Sequence, residues 1–106
     1  EIEDNLANHP DLLASSCVGM PDERLGERVC CYVVAAQGHT TPTVEDVRNF
    51  LLSRGMPVQK TPERVVAVDA LPMTATGKVL KQELRKDIEQ RLEAEAASAH
   101  EVTSHR

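Results

Sequence analysis

Arg28-Val29-Cys30-Cys31-Tyr32-Val33-Val34-Ala35-Ala36 is the stretch on which the fold turns. Its middle is an unbroken apolar run rich in β-branched residues, the pattern of a central strand covered on both faces. Successive side chains of a strand alternate, so Cys30 and Cys31 are expected on opposite faces. Upstream, residues 12–18 are apolar and small and predict a second strand, bounded by Gly19 and Pro21. Met20 to Gly26 reads as a polar turn between the two, punctuated by Pro21, Asp22 and Gly26. Residues 1–9 predict a short helix in which Ile2 and Leu6 share a face and which ends before Pro10.

Downstream, the loop Gln37-Gly38-His39-Thr40 leads to Thr43, a helix cap with Asp46 at capping-box spacing. The helix carries one apolar stripe, Val44, Val47, Phe50 and Leu51, and is expected to stop at Arg54-Gly55. Met56 to Pro62 is a loop, residues 64–68 a third strand, and Leu71 to Lys78 a loop rich in Pro, Thr and Gly. From Val79 a long helix is expected, with Leu80, Leu84, Ile88 and Leu92 in steps of four. Beyond Leu92 no apolar face remains, and residues 93–106 are expected to be a fraying polar tail. The expectation is an α+β domain over residues 1–92, a short, mainly antiparallel sheet packed by about three helices.

At 106 residues the chain is one domain at most. An apolar share of 41% predicts a folded core, and with Tyr32 and Phe50 the whole aromatic set, that core is aliphatic. So few aromatics and a net charge of −5 exclude a base-stacking nucleic-acid platform. The charge is uneven: residues 1–53 carry nine acidic and three basic residues, whereas 54–91 carry eight basic against five acidic. That basic segment suits either a small anionic ligand or a solvated helix face. Cys17, Cys30 and Cys31 show no Cys-x-x-Cys spacing and read as free, mostly buried thiols of a reducing compartment. His9, His39, His100 and His105 do not fall at ligand spacing, so no metal site is expected. With neither a spanning apolar run nor a signal peptide, a cytoplasmic location is expected. The chain opens on Glu1-Ile2-Glu3, without an initiator Met, which is expected of a piece of a longer protein.

The stretch that carries chemistry is Leu71-Pro72-Met73-Thr74-Ala75-Thr76-Gly77-Lys78. A strand enters it and a helix leaves it, as in a phosphate-binding P-loop. A P-loop, however, needs a glycine where Pro72 stands and a hydroxyl residue where Val79 stands. Gly77 permits a sharp turn. Lys78 falls just before a helix, where the helix dipole disfavours a cation. On physics alone two readings stay open for it: an exposed lysine after a turn, or a cation placed for an external anion.

Leu71 to Val79, followed by Lys81 and Leu84-Arg85, resembles the terminal motif of adenylate-forming enzymes, among them acyl-CoA synthetases and aryl-acid adenylating enzymes. Glu1-Ile2-Glu3 with His9-Pro10 is similar to the opening helix of the family's small C-terminal domain. Val18 to Glu23 with Gly26-Glu27 is similar to its inter-strand turn, and Gln59 to Arg64 to its Lys-x-Pro entry into the next strand. The resemblance implies an ATP-dependent ligase that joins a carboxylic acid to AMP and then passes the acyl group to a thiol, usually that of coenzyme A. It implies that Lys78 is the catalytic lysine of the first step, that Gly77 shapes its loop, and that Thr74 and Thr76 brace it. Lys60 and Arg54 match positions that approach coenzyme A, and each reads equally well as a surface cation. The implied partner is a large N-terminal domain that would hold most of the ATP, its Mg2+ and the acid. The isolated chain is therefore expected to be inactive. A non-catalytic binding or regulatory module of the same fold is the alternative.

Overall fold

In the computed structural model, residues 2–22 and 26–104 are described; the side chains of residues 22, 26, 27 and 99–104 are not among them. The elements in chain order are α1 (Ile2–Leu6), β1 (Leu12–Asp22), β2 (Gly26–Ala35), α2 (Val44–Ser53), a 3-10 turn (Val58–Lys60), β3 (Arg64–Ala67) and α3 (Lys81–Ser104). Glu1 and Glu23, which enter two of the motifs above, lie outside the described residues.

The sheet has the order β1-β2-β3, with the apolar run of β2 in the centre. β1 and β2 form a long antiparallel hairpin, and β3 pairs with β2 in parallel from Cys30–Arg64 to Val33–Ala67. A parallel neighbour needs a crossover, which α2 supplies. The architecture is α+β, with α1 and α2 on one face of a mixed sheet and α3 on the other.

Alternation along the strands divides the core. Cys31 and Val33 pack with Leu6, Val47, Leu51 and Met56. Cys30 and Tyr32 pack with Val18, Met20, Val66, Leu84 and Ile88 on the opposite face. Leu12 is even-numbered yet joins the cluster of Cys31 and Val33. The cause is a β-bulge: Leu12 pairs with Ala35 but Ala14 with Val34, so one extra residue reverses the parity. Leu13, at the bulge, is 74% exposed.

α2 is capped as its sequence predicts. The Asp46 N–H donates to Thr43 Oγ1 and the Thr43 N–H to Asp46 Oδ2, each at 3.1 Å. Its end is a Schellman turn: Gly55 takes φ +91°, its N–H bonds to Leu52 O, and the Met56 N–H reaches Leu51 O. Met56 and Leu51 then meet in the core.

Three expectations need correction. The strand expected at 12–18 runs on through Gly19 and Pro21 to Asp22, so the ladder occupies much of the expected turn. Proline is tolerated there because β1 is an edge strand. The Cys17 N–H points away from β2, to Glu3, and Pro21, four residues on, shares that orientation, so no ladder bond is lost. The last helix starts at Lys81 rather than Val79, because Val79 instead forms a bridge with Met73. Leu80 is thus 39% exposed, while Leu84 and Ile88 are buried. Finally, Cys17 and Cys31 are not free thiols but a disulfide, leaving Cys30 free and buried. They are directly opposed in a non-hydrogen-bonded pair, their Cα atoms 4.2 Å apart, where side chains on neighbouring strands come closest.

Past Leu92 the described side chains of α3 are exposed, although Glu95 accepts a two-point bond from the Arg64 guanidinium.

Candidate active-site loop

The loop between β3 and α3 is built to hold one residue outward. Its flanks, Leu71 and Val79, are partly buried against the cluster under α3. The Met73–Val79 bridge closes its base, and the Leu80 N–H donates to Pro72 O at 2.8 Å. Within it, Thr74 organises the turn. Its N–H donates to Lys78 O (2.8 Å), its Oγ1 accepts from the Lys78 N–H (3.0 Å), and its carbonyl accepts from the Gly77 N–H (3.0 Å). Thr74 and Thr76 also share a hydroxyl–hydroxyl bond of 3.0 Å. Gly77 has φ +90°, the left-handed region that a side chain disfavours.

The product of this bracing is Lys78. Its backbone is fixed on both sides, its side chain is exposed, and no described residue bonds or pairs with its ammonium. A fixed base carrying an unneutralised cation on a long stem suits an anion supplied from outside the domain.

The other predicted residues are not gathered around Lys78. Lys60, at the end of the 3-10 turn, lines an open cavity of about 540 Å³ with Glu3, Gln59, Lys81 and Arg85. Neither Lys78 nor Arg54 lines it. Arg54 caps α2, donates from Nε to Asn5 Oδ1 at 2.7 Å, and lies over the Phe50 ring at 5.6 Å. It therefore ties α2 to the end of α1.

Two polar arrangements were not foreseen. The Lys81 ammonium bonds to Glu3 Oε2 (2.8 Å) and to Cys17 O (3.2 Å), and the same Glu3 oxygen accepts from the Cys17 N–H (2.7 Å). Burial opposes ionisation of Glu3, but Lys81 and the Cys17 N–H outweigh it and hold the carboxyl below the ordinary carboxylate range. Both residues stand in the motif stretches, yet nothing in the sequence pairs them across 78 positions. The second is Tyr32, fully buried, whose hydroxyl donates to Asp87, which also accepts from Arg91 Nε at 2.6 Å. Burial and then the Asp87 carboxylate push the Tyr32 phenol up; the Tyr32 hydroxyl and then Arg91 hold Asp87 down.

Among the described residues no group of three or more His, Cys, Asp or Glu is placed to hold a metal, and no helix is long and apolar enough to cross a membrane.

The family described as "AMP-binding enzyme C-terminal domain" matches residues 1–78, and the match ends on the exposed lysine. The chain belongs to this family. Its members are the C-terminal domains of adenylate-forming enzymes. Over 92 residues, 87% of the chain, it is 44% identical to the medium-chain fatty-acid–CoA ligase of Escherichia coli and covers 16% of that protein. It is 37% identical over the same length to the 2,3-dihydroxybenzoate-AMP ligase of Bacillus subtilis, covering 17% of it. An acyl-CoA synthetase structure from Brucella canis superposes with a TM-score of 0.78 at 26% identity, over 86% of this chain and 17% of that one. The chain thus spans about a sixth of the length of the curated relatives it matches.

Proposed function

We propose that this domain serves an ATP-dependent acid–thiol ligase as its mobile C-terminal domain, and that Lys78 acts in the first half-reaction. In that step a carboxylate oxygen attacks the α-phosphorus of ATP. The bond to the bridging oxygen breaks, and pyrophosphate leaves with the electron pair. Negative charge gathers on the phosphate oxygens, and the Lys78 ammonium, bridging them and the carboxylate, lowers the barrier electrostatically. A thiol, that of coenzyme A, then attacks the acyl carbonyl and displaces AMP. Carrying Lys78 on a separate domain lets the cation be withdrawn for this second step.

The observation that carries the reading is the Lys78 loop: an ammonium without a described partner on a backbone held by Thr74, at the end of the family match. ATP, its Mg2+ and the carboxylic acid are assigned to the larger partner domain of the same protein. Gly77 shapes the loop, while Lys60 at the cavity and Arg54 at the end of α2 are the proposed cations for the phosphates of coenzyme A. A cytoplasmic location is part of the same proposal, and there the Cys17–Cys31 disulfide would be open to reduction.

The test uses the full-length ligase that carries this domain. For wild type and Lys78→Ala, acid-dependent exchange of labelled pyrophosphate into ATP is measured beside thioester formation from preformed acyl-adenylate. Exchange is expected to fall at least 100-fold, as when one preorganised charge is removed from a developing oxyanion. Thioester formation stays within a few-fold. Unchanged exchange would make Lys78 an ordinary surface lysine.

A further inference from the structure

Lys78 is fixed within its loop, but a loop is only as well aimed as the element it joins. That element is α3, whose first residue is Lys81. Leu84 and Ile88 seat the body of the helix on the sheet one turn and two turns further on. Its N-terminal turn is held by something else. Lys81 Nζ is bonded at once to Glu3 on α1 and to the Cys17 carbonyl on β1, and Glu3 takes the Cys17 N–H. The outward N–H and C=O of one edge-strand residue are thereby both closed by a single ion pair. α1, β1 and α3 meet at one point, three residues from Lys78.

We propose that the Glu3–Lys81 pair is a positioning device for Lys78, setting the entry of α3 and hence the direction in which the catalytic lysine is presented. Lys81 is in this account a positioning residue and not a catalytic one, because its ammonium is already spent on Glu3 and Cys17. The pair is partly exposed, with side-chain accessibilities of 42% for Lys81 and 36% for Glu3. Water can replace its bonds when it is broken, so the domain is expected to remain folded without it. What is lost is direction, and catalysis is sensitive to displacements of about 1 Å far from the chemistry.

This inference rests on the adenylation reading of Lys78, and the experiment separates the two. In the full-length ligase, Lys81→Met, Glu3→Ala, Lys81→Arg and Lys78→Ala are compared in pyrophosphate exchange, in thioester formation from preformed acyl-adenylate at saturating coenzyme A, and in thermal melting. Lys81→Met and Glu3→Ala are each expected to lose about tenfold or more in exchange, through kcat rather than KM for ATP. Both residues share the cavity with Lys60, so a change in KM for coenzyme A belongs to that cavity, while thioester formation at saturation stays within threefold and the melting temperature near wild type. Lys81→Arg, which retains both donors and charge, restores most of the exchange. Glu3→Ala is the decisive arm, since it leaves Lys81 and the Cys17 N–H without their shared acceptor. If Lys81 binds a substrate anion directly, freeing it from Glu3 preserves or raises exchange, and the positioning role is overturned. Equal loss in both half-reactions at saturation overturns it as well, since the pair then does not act on the first step alone. If Lys78→Ala leaves exchange intact, the adenylation reading fails and the inference goes with it. If Lys78→Ala loses exchange while Lys81→Met and Glu3→Ala do not, the inference alone fails.

Discussion

Replacing Tyr32 by Phe removes one oxygen from the centre of the domain and leaves the ring. The ring is fully buried among Val18, Met20, Val66, Leu84 and Ile88, and Phe fills the same space. Lost are the hydroxyl's bond to the Asp87 carboxylate and a weaker one of 3.3 Å to Leu84 O. A hydrogen bond to a charged group contributes about 1.5–3 kcal/mol. Asp87 keeps Arg91 and has a side chain 41% exposed, so water recovers part of the loss. The expected cost at neutral pH is therefore near the low end, about 1.5 kcal/mol. In a domain of this size that lowers the melting temperature by roughly 6–12 °C. The cost also depends on pH. In the folded domain the Asp87 carboxyl lies below its ordinary value of 3.8, chiefly because of Tyr32. Stability from this source is complete above the unfolded pKa and is lost as pH falls through the folded one. The gap between wild type and Tyr32→Phe should thus be widest near pH 7 and narrow below about pH 4. Urea unfolding of both proteins across that range reads both quantities. A variant as stable as wild type at pH 7, or a gap that widens in acid, would refute the reasoning.

Other outcomes follow from the same structure. Reducing the Cys17–Cys31 disulfide reopens a loop of about 15 residues in the unfolded chain and should cost about 3 kcal/mol by loop entropy; melts that coincide with and without reductant, or an intact mass showing three free thiols, would contradict this. Cys30 is buried, and burial pushes its thiol up to about 11, so it should resist iodoacetamide in the native domain and react once urea is added. Prompt native labelling by peptide mapping would show the site to be open. In hydrogen exchange, amides of α3 from Leu84 to Leu92 should be protected and those beyond Glu95 should exchange rapidly, as the proposed tail requires; uniform protection to Ser104 would mean the tail packs on something.

How far the sequence could be read depended on how local each signal was. The capping box at Thr43, the Gly55 stop and the apolar run of β2 are written within a few residues of the structure they produce, and each was legible. The Lys78 loop was recognisable as a loop, and the bracing role that the resemblance implied for Thr74 takes the form of its bonds to Gly77 and Lys78. What escaped was the non-local geometry. Pro21 looked like a strand breaker because its tolerance depends on β1 being at the sheet edge, which no window around it reveals. Cys17 and Cys31 looked like unrelated thiols because only the register brings them opposite one another. Glu3 and Lys81 are both conspicuous as charged residues, but their pairing needs α1 and α3 to converge on β1.

The bulge at Leu12–Ala14 bears on anyone who would splice this domain. Residues before it and after it are in different phases with respect to the sheet. A chimaera joined at Gly19 or Val18 preserves the phase of everything downstream. One joined upstream of Leu13 by simple counting, with a donor that lacks the extra residue, would turn Leu12 from the core to the opposite face. Leu13 is the place where this strand can gain or lose a residue, and a deletion there would be felt by Leu12 and α1 rather than by the Lys78 loop.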